Sequence, residues 1–150
     1  MNFISKLFGS SSNSKYDLGQ LEVDMPSHLI PGIDDGSPSQ YEAQALFNLQ
    51  VAGYVPILAH YERYPYYFGD FKRVDALRER NIQIQVNLNS LTGHYGPGVK
   101  KMAEQLIKNK QVDFLGTDCH RMEHLMMIEQ SLSMPIYKQV EALTLKNNSL

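Results

Sequence analysis

The segment Tyr54-Val55-Pro56-Ile57-Leu58-Ala59-His60-Tyr61-Glu62-Arg63 joins a short apolar run directly to an imidazole, a carboxylate and a guanidinium. An almost continuous apolar run of this length is typical of a strand covered on both faces, as in a parallel sheet. Polar residues directly after such a strand lie at its carboxyl end, where α/β enzymes place their chemistry. The segment therefore predicts a parallel α/β fold with a functional site at the strand ends.

Strand and helix patterns alternate on both sides of this segment. Gly53 is typical of a helix end, and apolar residues repeat at helical spacing over 99–107 and at strand spacing over 82–88. The patterns predict strands over 21–30, 54–59, 82–88 and 112–116, and helices over 41–52, from the capping residue Asp70 to Arg80, over 99–107, over 123–132 and over 135–146. Four strands, each followed by a helix, indicate parallel pairing, and four units are too few to close an eight-stranded barrel.

Composition limits the classes of protein that the chain can belong to. Its 150 residues suit one domain, and a formal net charge of -2 gives no electrostatic footprint for nucleic acid. One cysteine excludes an internal disulfide and fits a reducing cytosol, and no apolar run is long enough to cross a bilayer. Residues 1–8 are apolar and either fray or lie weakly on a membrane or partner, and 9–15 read as a linker. We expect a flexible segment over 1–20 and a folded domain over 21–150.

Acidic and imidazole side chains follow three of the predicted strands. The first cluster lies in Asp24-Met25-Pro26-Ser27-His28-Leu29-Ile30-Pro31-Gly32-Ile33-Asp34-Asp35-Gly36, and the others follow residues 59 and 116. The members with ligand chemistry are His28, Asp34, Asp35, His60, Glu62, Asp118 and His120. Each cluster alone has a structural interpretation, such as a turn at Asp34-Asp35-Gly36. Together they predict a metal site, and the mixed oxygen and nitrogen ligands suit manganese, iron or zinc.

Other residues near these clusters have two interpretations each. Arg63 suits bidentate binding of a phosphate, or forms a surface salt bridge, and Arg121 is a second candidate. His94 either borders the site or has no role. The tyrosines beside Arg63 either stack on a phenolic ring or cover the barrel mouth; they are Tyr61, Tyr64, Tyr66 and Tyr67.

Two further residues are predicted to lack a chemical role. A cysteine phosphatase needs arginine six positions after its cysteine, and Leu125 stands there relative to Cys119, so we interpret Cys119 as a packed residue. His124 is predicted to be solvated, because the residues between it and His120 do not form a His-Glu-x-x-His motif.

With these motifs in view, the chain resembles the bacterial PHP-superfamily, manganese-dependent protein-tyrosine phosphatases of capsule and exopolysaccharide biosynthesis. The resemblance covers about 21–125. It is carried by the first cluster, by Leu58-Ala59-His60-x-Glu62-Arg63-Tyr64, by Gln85-x-Asn87-x-x-Ser90-Leu91-Thr92-Gly93 and by Gly116-Thr117-Asp118-x-His120. It implies a partial PHP-type (β/α) barrel of about four parallel strands, each followed by a helix.

The resemblance also implies an activity, a cofactor and a partner. The activity is removal of phosphate from the phosphotyrosine tail of a membrane-associated tyrosine autokinase. Manganese is the implied cofactor, held by metal ligands that carry over to His28, Asp34, His60, Asp118 and His120. Arg63 carries over as the phosphate-binding and catalytic arginine. The remaining roles that we predict are catalytic for Asp34 and Asp35 and substrate-binding for Tyr64 and His94.

The chain departs from the family pattern in three places. The family has a ligating histidine at the position of Pro26 and a proline at the position of Tyr61. Between the positions of Gly36 and the helix that begins at Tyr41, proteins of the family have further strands, and one of these supplies a metal-bridging glutamate. We therefore expect incomplete metal occupancy, and we expect two copies of the chain to pair, because a partial barrel exposes sheet edges.

Three hypotheses follow from the sequence. The first is a metal-dependent phosphoesterase of the tyrosine-phosphatase family. The second is a catalytically inactive remnant that binds the kinase tail or forms oligomers. The third is a PHP-type phosphoesterase that acts on sugar or nucleoside phosphates.

Overall fold

The computed structural model describes residues 48–149. The predicted strand over 21–30, and with it His28, Asp34 and Asp35, lies outside the described residues. The predicted helix over 41–52 is described only at its end, where 48–51 are helical. Gly53 follows with φ of 90°, a left-handed conformation that glycine adopts readily, as predicted for a helix stop.

Three parallel strands form the sheet, in the order β1 (Ile57–Leu58), β2 (Gln83–Asn87) and β3 (Phe114–Gly116). Leu58 pairs with Ile84 across β1 and β2, and Asn87 pairs with Gly116 across β2 and β3. Because all three strands run in one direction, the residues that follow them meet at one edge of the sheet. The parallel α/β arrangement is thus confirmed for the described residues, whereas closure into a partial barrel stays a prediction.

Helices separate the strands in the predicted order. They are α1 (Phe71–Glu79), α2 (Pro97–Lys108), α3 (Met122–Leu132) and α4 (Tyr137–Glu141), with short 3-10 helices at Tyr61–Arg63, Pro65–Tyr67, Leu88–Thr92 and Asn147–Ser149. Asp70 caps α1 as predicted, since its Oδ1 accepts a hydrogen bond from the backbone N–H of Arg73 at 3.1 Å. Within 48–149, no helix combines the length and the hydrophobicity that crossing a membrane requires.

The core lies between the sheet and these helices. Ile84 and Val86 of β2 are completely buried and belong to one core cluster with apolar residues of α1, α2, α3 and α4. The alternate residues Gln85 and Asn87 are also buried, at 4% and 2% exposure. The central strand is therefore covered on both faces, and its polar face lies beneath the loops that follow β1 and β3.

Two predicted elements are shorter in the structure. The strand predicted over 54–59 is reduced to β1, because Pro56 has no N–H to donate to a ladder and Tyr54 and Val55 are exposed. The helix predicted over 135–146 is reduced to α4. Its last part instead runs beside β3, where the Lys146 N–H donates to the Asp113 carbonyl at 2.8 Å.

Candidate active site

Asp118, two residues after β3, is the centre of the polar cluster at the strand ends. Its Oδ1 lies 2.8 Å from Nε2 of His120, and its Oδ2 lies 3.3 Å from Nη1 of Arg63. The same Oδ2 accepts a hydrogen bond from Nδ2 of Asn87 at 3.2 Å and lies 3.5 Å from the hydroxyl of Tyr95. Loops after all three strands therefore converge on one buried carboxylate.

The surroundings of Asp118 stabilise its charged form. Partial burial alone would raise the pKa of Asp118, but the hydrogen bond with His120 and the charge of His120 oppose that effect. Positive charge on His60 and Arg63 acts in the same direction, so the pKa is held below its ordinary value. Asp118 is therefore an anion at neutral pH, as a metal ligand or a partner of a cationic group must be.

His60 is held at the end of β1 by its backbone. The residue is 2% exposed, and its N–H donates to Oε1 of Gln85 at 2.7 Å. Its φ of 39° is left-handed, and Asp118 has a φ of 50°. Such conformations are uncommon for residues other than glycine and concentrate at functional sites. Both predicted ligands thus lie at strained backbone positions directly after a strand.

Arg63 lies over an aromatic ring. Its guanidinium carbon is 4.4 Å from the ring centroid of Tyr95, and its side chain is 14% exposed. Burial and the charge of Asp118 raise the pKa of Tyr95 to about 12, so its hydroxyl stays protonated and can donate to Asp118. The stacking and the ion pair with Asp118 together fix the guanidinium plane.

Glu62 lies completely buried between these residues. Its Oε1 accepts hydrogen bonds from the N–H of Asn87 and the hydroxyl of Ser90. Among the described residues, its Oε2 has no hydrogen-bond partner. Burial raises the pKa of Glu62 to about 7, although both hydrogen bonds oppose the rise. Glu62 therefore supports the loop from within, through its hydrogen bonds to Asn87 and Ser90.

The tyrosine cluster lies mostly inside the fold. Tyr64 is 3% exposed, its hydroxyl lies 3.4 Å from the Ala59 carbonyl, and Tyr61 stacks on Tyr67 with ring centroids 5.5 Å apart. Tyr66, at 54% exposure, is the cluster member that faces solvent. Contact between Tyr64 and a substrate ring would require this packing to open, so its substrate-binding role stays a prediction.

Three histidines form an outer rim of the site. His94 is exposed, and its ring centroid is 5.4 Å from that of His124. Nδ1 of His124 lies 3.2 Å from the Asp118 carbonyl oxygen and 3.3 Å from the N–H of His120. The expectation that His124 is solvated is therefore wrong, because the turn that opens α3 packs its ring against the Asp118 loop. Its spacing of four from His120 was the available signal.

The structure brings together some of the predicted site residues. Arg63, Asp118 and His120 are in direct contact, and His60 lies near enough to influence the pKa of Asp118. Within 48–149, however, no three His, Cys, Asp or Glu side chains form a group that could hold a metal ion. The described donors have the chemistry of a metal site but do not complete one by themselves.

Sequence reasoning did not predict the positioning role of four residues around this cluster. Tyr95 was not singled out, and Glu62, Gln85 and Asn87 were noted without a positioning role. The alternation over 82–88 was the signal for Gln85 and Asn87, since it placed both on one face of a strand predicted to be buried.

The sequence of this chain matches one protein family. The family model described as capsular polysaccharide synthesis, CpsB/CapC, matches residues 37–141. The match includes Arg63, Asp118 and His120 and begins after the cluster that contains His28, Asp34 and Asp35.

Two relatives are named as tyrosine phosphatases. The putative tyrosine-protein phosphatase CapC of Staphylococcus aureus is 28% identical over 100 residues, which are 67% of this chain and 36% of that protein. The tyrosine-protein phosphatase YwqE of Bacillus subtilis is 27% identical over 114 residues, which are 76% of this chain and 40% of that protein. The chain thus spans about two fifths of the length of YwqE and slightly less of the length of CapC.

A solved structure is also similar. It comes from the crystal structures of YwqE from Bacillus subtilis and CpsB from Streptococcus pneumoniae, described as unique metal-dependent tyrosine phosphatases. The TM-score is 0.48 at 25% identity, over 69% of this chain and 45% of that one.

Proposed function

Because the chain belongs to the CpsB/CapC family of capsular polysaccharide synthesis, we propose that it is a metal-dependent protein-tyrosine phosphatase. The observation that carries the proposal is the contact of Arg63 and His120 with the buried carboxylate of Asp118, at the edge where parallel α/β enzymes bind substrates. The relatives named as tyrosine-protein phosphatases support phosphotyrosine as the proposed substrate class.

In this proposal Arg63 binds the phosphate of the substrate. A guanidinium offers a planar fork that matches two phosphate oxygens, and its charge offsets the negative charge that develops in phosphoryl transfer. Asp118 holds the guanidinium at one edge, and the Tyr95 ring supports its plane. The arginine is thus oriented before substrate arrives, which lowers the entropy cost of binding.

Manganese is the proposed cofactor, with iron or zinc as alternatives. The proposed ligands are His28, Asp34, His60, Asp118 and His120, an oxygen and nitrogen set of the kind that manganese accepts. A bound divalent ion would polarise phosphate oxygens and activate water. Asp34 and Asp35 are proposed to contribute to catalysis as well.

The proposed substrate is the phosphotyrosine tail of a membrane-associated tyrosine autokinase. His94, exposed on the rim, and Tyr64, in the aromatic cluster, are the proposed contacts to that tail. A partner copy of the chain is proposed to complete the fold, since a partial barrel has edges to cover.

A non-catalytic binding module is the second candidate. The feature that favours it is Pro26, which stands where the family has a ligating histidine. In that case the chain would bind the tyrosine-rich tail or a second copy without hydrolysis.

Hydrolysis of a phosphotyrosine peptide after dialysis against Mn²⁺ tests the proposal. We expect activity in wild type, loss of activity in His120→Ala and no change in Gln130→Ala, which alters an exposed residue of α3. The His120 side chain is 61% exposed, so its removal leaves the core intact.

Equal background rates in wild type and His120→Ala would overturn the phosphatase proposal, and tail binding without turnover would support the second candidate. Faster hydrolysis of a sugar phosphate than of the peptide would favour the third hypothesis. Metal analysis of the dialysed protein separates the first two candidates, because a catalytic site needs at least about one tightly held ion per chain.

A further inference from the structure

The motif Gln85-x-Asn87-x-x-Ser90 has polar side chains that the proposed function does not use. We infer that these three side chains are positioning residues, which fix the His60–Arg63 turn and the Asp118 carboxylate relative to each other. The inference rests on the proposed function only in that His60, Arg63 and Asp118 belong to its site.

A chain of amide hydrogen bonds crosses the site beneath the loops. The His60 N–H donates to Oε1 of Gln85 at 2.7 Å, and Nε2 of Gln85 donates to Oδ1 of Asn87 at 2.7 Å. Nδ2 of Asn87 then donates to Oδ2 of Asp118 at 3.2 Å. The turn after β1 is thereby linked to the carboxylate after β3 through the polar face of β2.

Only carboxamides suit the two middle positions of this chain. Each must accept one hydrogen bond and donate the next, and the last bond must end on an acceptor-only carboxylate. A carboxylate at either position lacks the donor, and an apolar side chain lacks both groups. In a buried site, loss of a donor or an acceptor leaves the neighbouring polar atoms without partners and lowers the stability of the fold.

Ser90 fixes the same turn from the other side. Its hydroxyl and the N–H of Asn87 both donate to Oε1 of Glu62, which belongs to the turn. The 3-10 helix that follows β2 therefore binds the middle of the turn, while Gln85 binds its beginning. Arg63 comes directly after Glu62, so the hydrogen bonds to Glu62 also fix the backbone from which the Arg63 side chain extends.

Gly116 leaves the space that the amide chain needs. A Cβ at this position would lie 2.4 Å from Nε2 of Gln85 and 3.3 Å from Oδ1 of Asn87. Any residue other than glycine at the end of β3 would displace both amides. Close approach of the backbone therefore explains the glycine at this strand end.

The first test compares two buried asparagines that are matched in exposure. Asn87 and Asn147 are both 2% exposed, but the Asn147 amide bonds the N–H and the carbonyl of Leu115, away from the site. We expect Asn87→Leu to shift the NMR resonances of the Arg63 Nε–H and the His120 ring, and Asn147→Leu to leave them in place. Unchanged resonances in Asn87→Leu, or equal shifts in both variants, would overturn the inference.

A second variant covers failure of Asn87→Leu to fold. Asn87→Asp keeps the shape of the side chain and replaces the Nδ2 donor with an oxygen that faces Asp118. We expect the same resonances to shift, with a lower unfolding midpoint. Unchanged Arg63 and His120 signals in a folded Asn87→Asp protein would count against the positioning role.

Calorimetric titration with Mn²⁺ gives an independent measurement. If the wild type binds the ion, Asn87→Leu should weaken binding about 10- to 100-fold, as expected for residues that orient ligands, and Asn147→Leu should not. Equal affinities of Asn87→Leu and wild type would contradict the inference. A wild type that neither binds Mn²⁺ nor cleaves the peptide would refute the proposed function alone, because the NMR comparison still decides the positioning role.

Discussion

Nη1 of Arg63 lies 3.3 Å from Oδ2 of Asp118, although β2 separates the strands that the two residues follow. The pair joins the outer strands β1 and β3 at the edge where all three strands end. Since the Arg63 side chain is 14% exposed and lies over Tyr95, the pair is shielded from solvent more than a surface salt bridge is. Its geometry underlies the first prediction.

Replacement of Arg63 by lysine should reduce hydrolysis of the phosphotyrosine peptide. Arg63→Lys keeps the charge but loses the planar fork and the stacking on Tyr95, so kcat/KM should fall about a hundredfold. The matched control is Arg80→Lys, at the exposed arginine that follows α1, which should retain the wild-type rate. Steady-state kinetics with the peptide checks both, and equal losses would contradict the assignment to Arg63.

A methyl group at Gly116 should disturb the site through Gln85. Gly116→Ala places a Cβ 2.4 Å from Nε2 of Gln85, and we expect about 2 kcal/mol of lost stability together with weaker hydrolysis. Gly98→Ala is the control. Its Cβ would lie 2.6 Å from the ring of Phe68, which is 40% exposed and has space to move away. Urea unfolding and peptide hydrolysis measure the two effects, and equal behaviour of the variants would contradict this account.

Asp113 should contribute to stability without contributing to catalysis. Its carboxylate lies 3.3 Å from both Arg78 and Lys146 and accepts a hydrogen bond from the Ile84 N–H at 3.0 Å. Asp113→Asn should lower the free energy of unfolding by about 2 kcal/mol, because the introduced amide nitrogen cannot accept a hydrogen bond from the donors that surround the buried carboxylate. Urea unfolding measures the loss. Reduced kcat at full stability would show that the residue acts on the site instead.

Glu62 should make stability depend on pH. Burial raises its pKa from 4.5 to about 7, so the folded state binds more protons than the unfolded chain between these values. The contribution of protonated Glu62 to the free energy of unfolding is complete below pH 4.5 and is lost as the pH rises to about 7. In Glu62→Gln, the introduced amide is neutral at every pH and resembles the protonated acid.

Urea unfolding of metal-free protein in chelator measures this dependence. Between pH 4.5 and 7, the wild-type stability should fall by about 3 kcal/mol more than that of Glu62→Gln. Parallel stability curves for the two proteins would show that Glu62 has an ordinary pKa.

Periodicity and capping residues in the sequence were sufficient to predict most of the described elements. The helical spacing over 99–107 corresponds to α2, Asp70 caps α1, and Gly53 ends the first described helix. These features depend on neighbours along the chain, which is why a local pattern predicts them. The helix over 135–146 was overpredicted because contacts of Lys146 with Asp113, which is distant in sequence, replaced its last turns.

The rule that parallel strands end at one edge was enough to bring Arg63, Asp118 and His120 together. The same rule could not identify Tyr95 as the ring beneath Arg63, or Gln85 and Asn87 as the link between two loops. Alternation tells which residues share a face of a strand, but not what covers that face.

The amino-acid sequence by itself determined the order of strands and helices, the edge at which the site forms and the residue types available there, because these follow from local periodicity and from parallel pairing. Only the tertiary structure decided that Asp118 is paired with Arg63 and His120, that Glu62 is buried and that the amides of β2 connect the loops. Those outcomes depend on distances between segments far apart in the chain, which are set when the sheet and its helices pack.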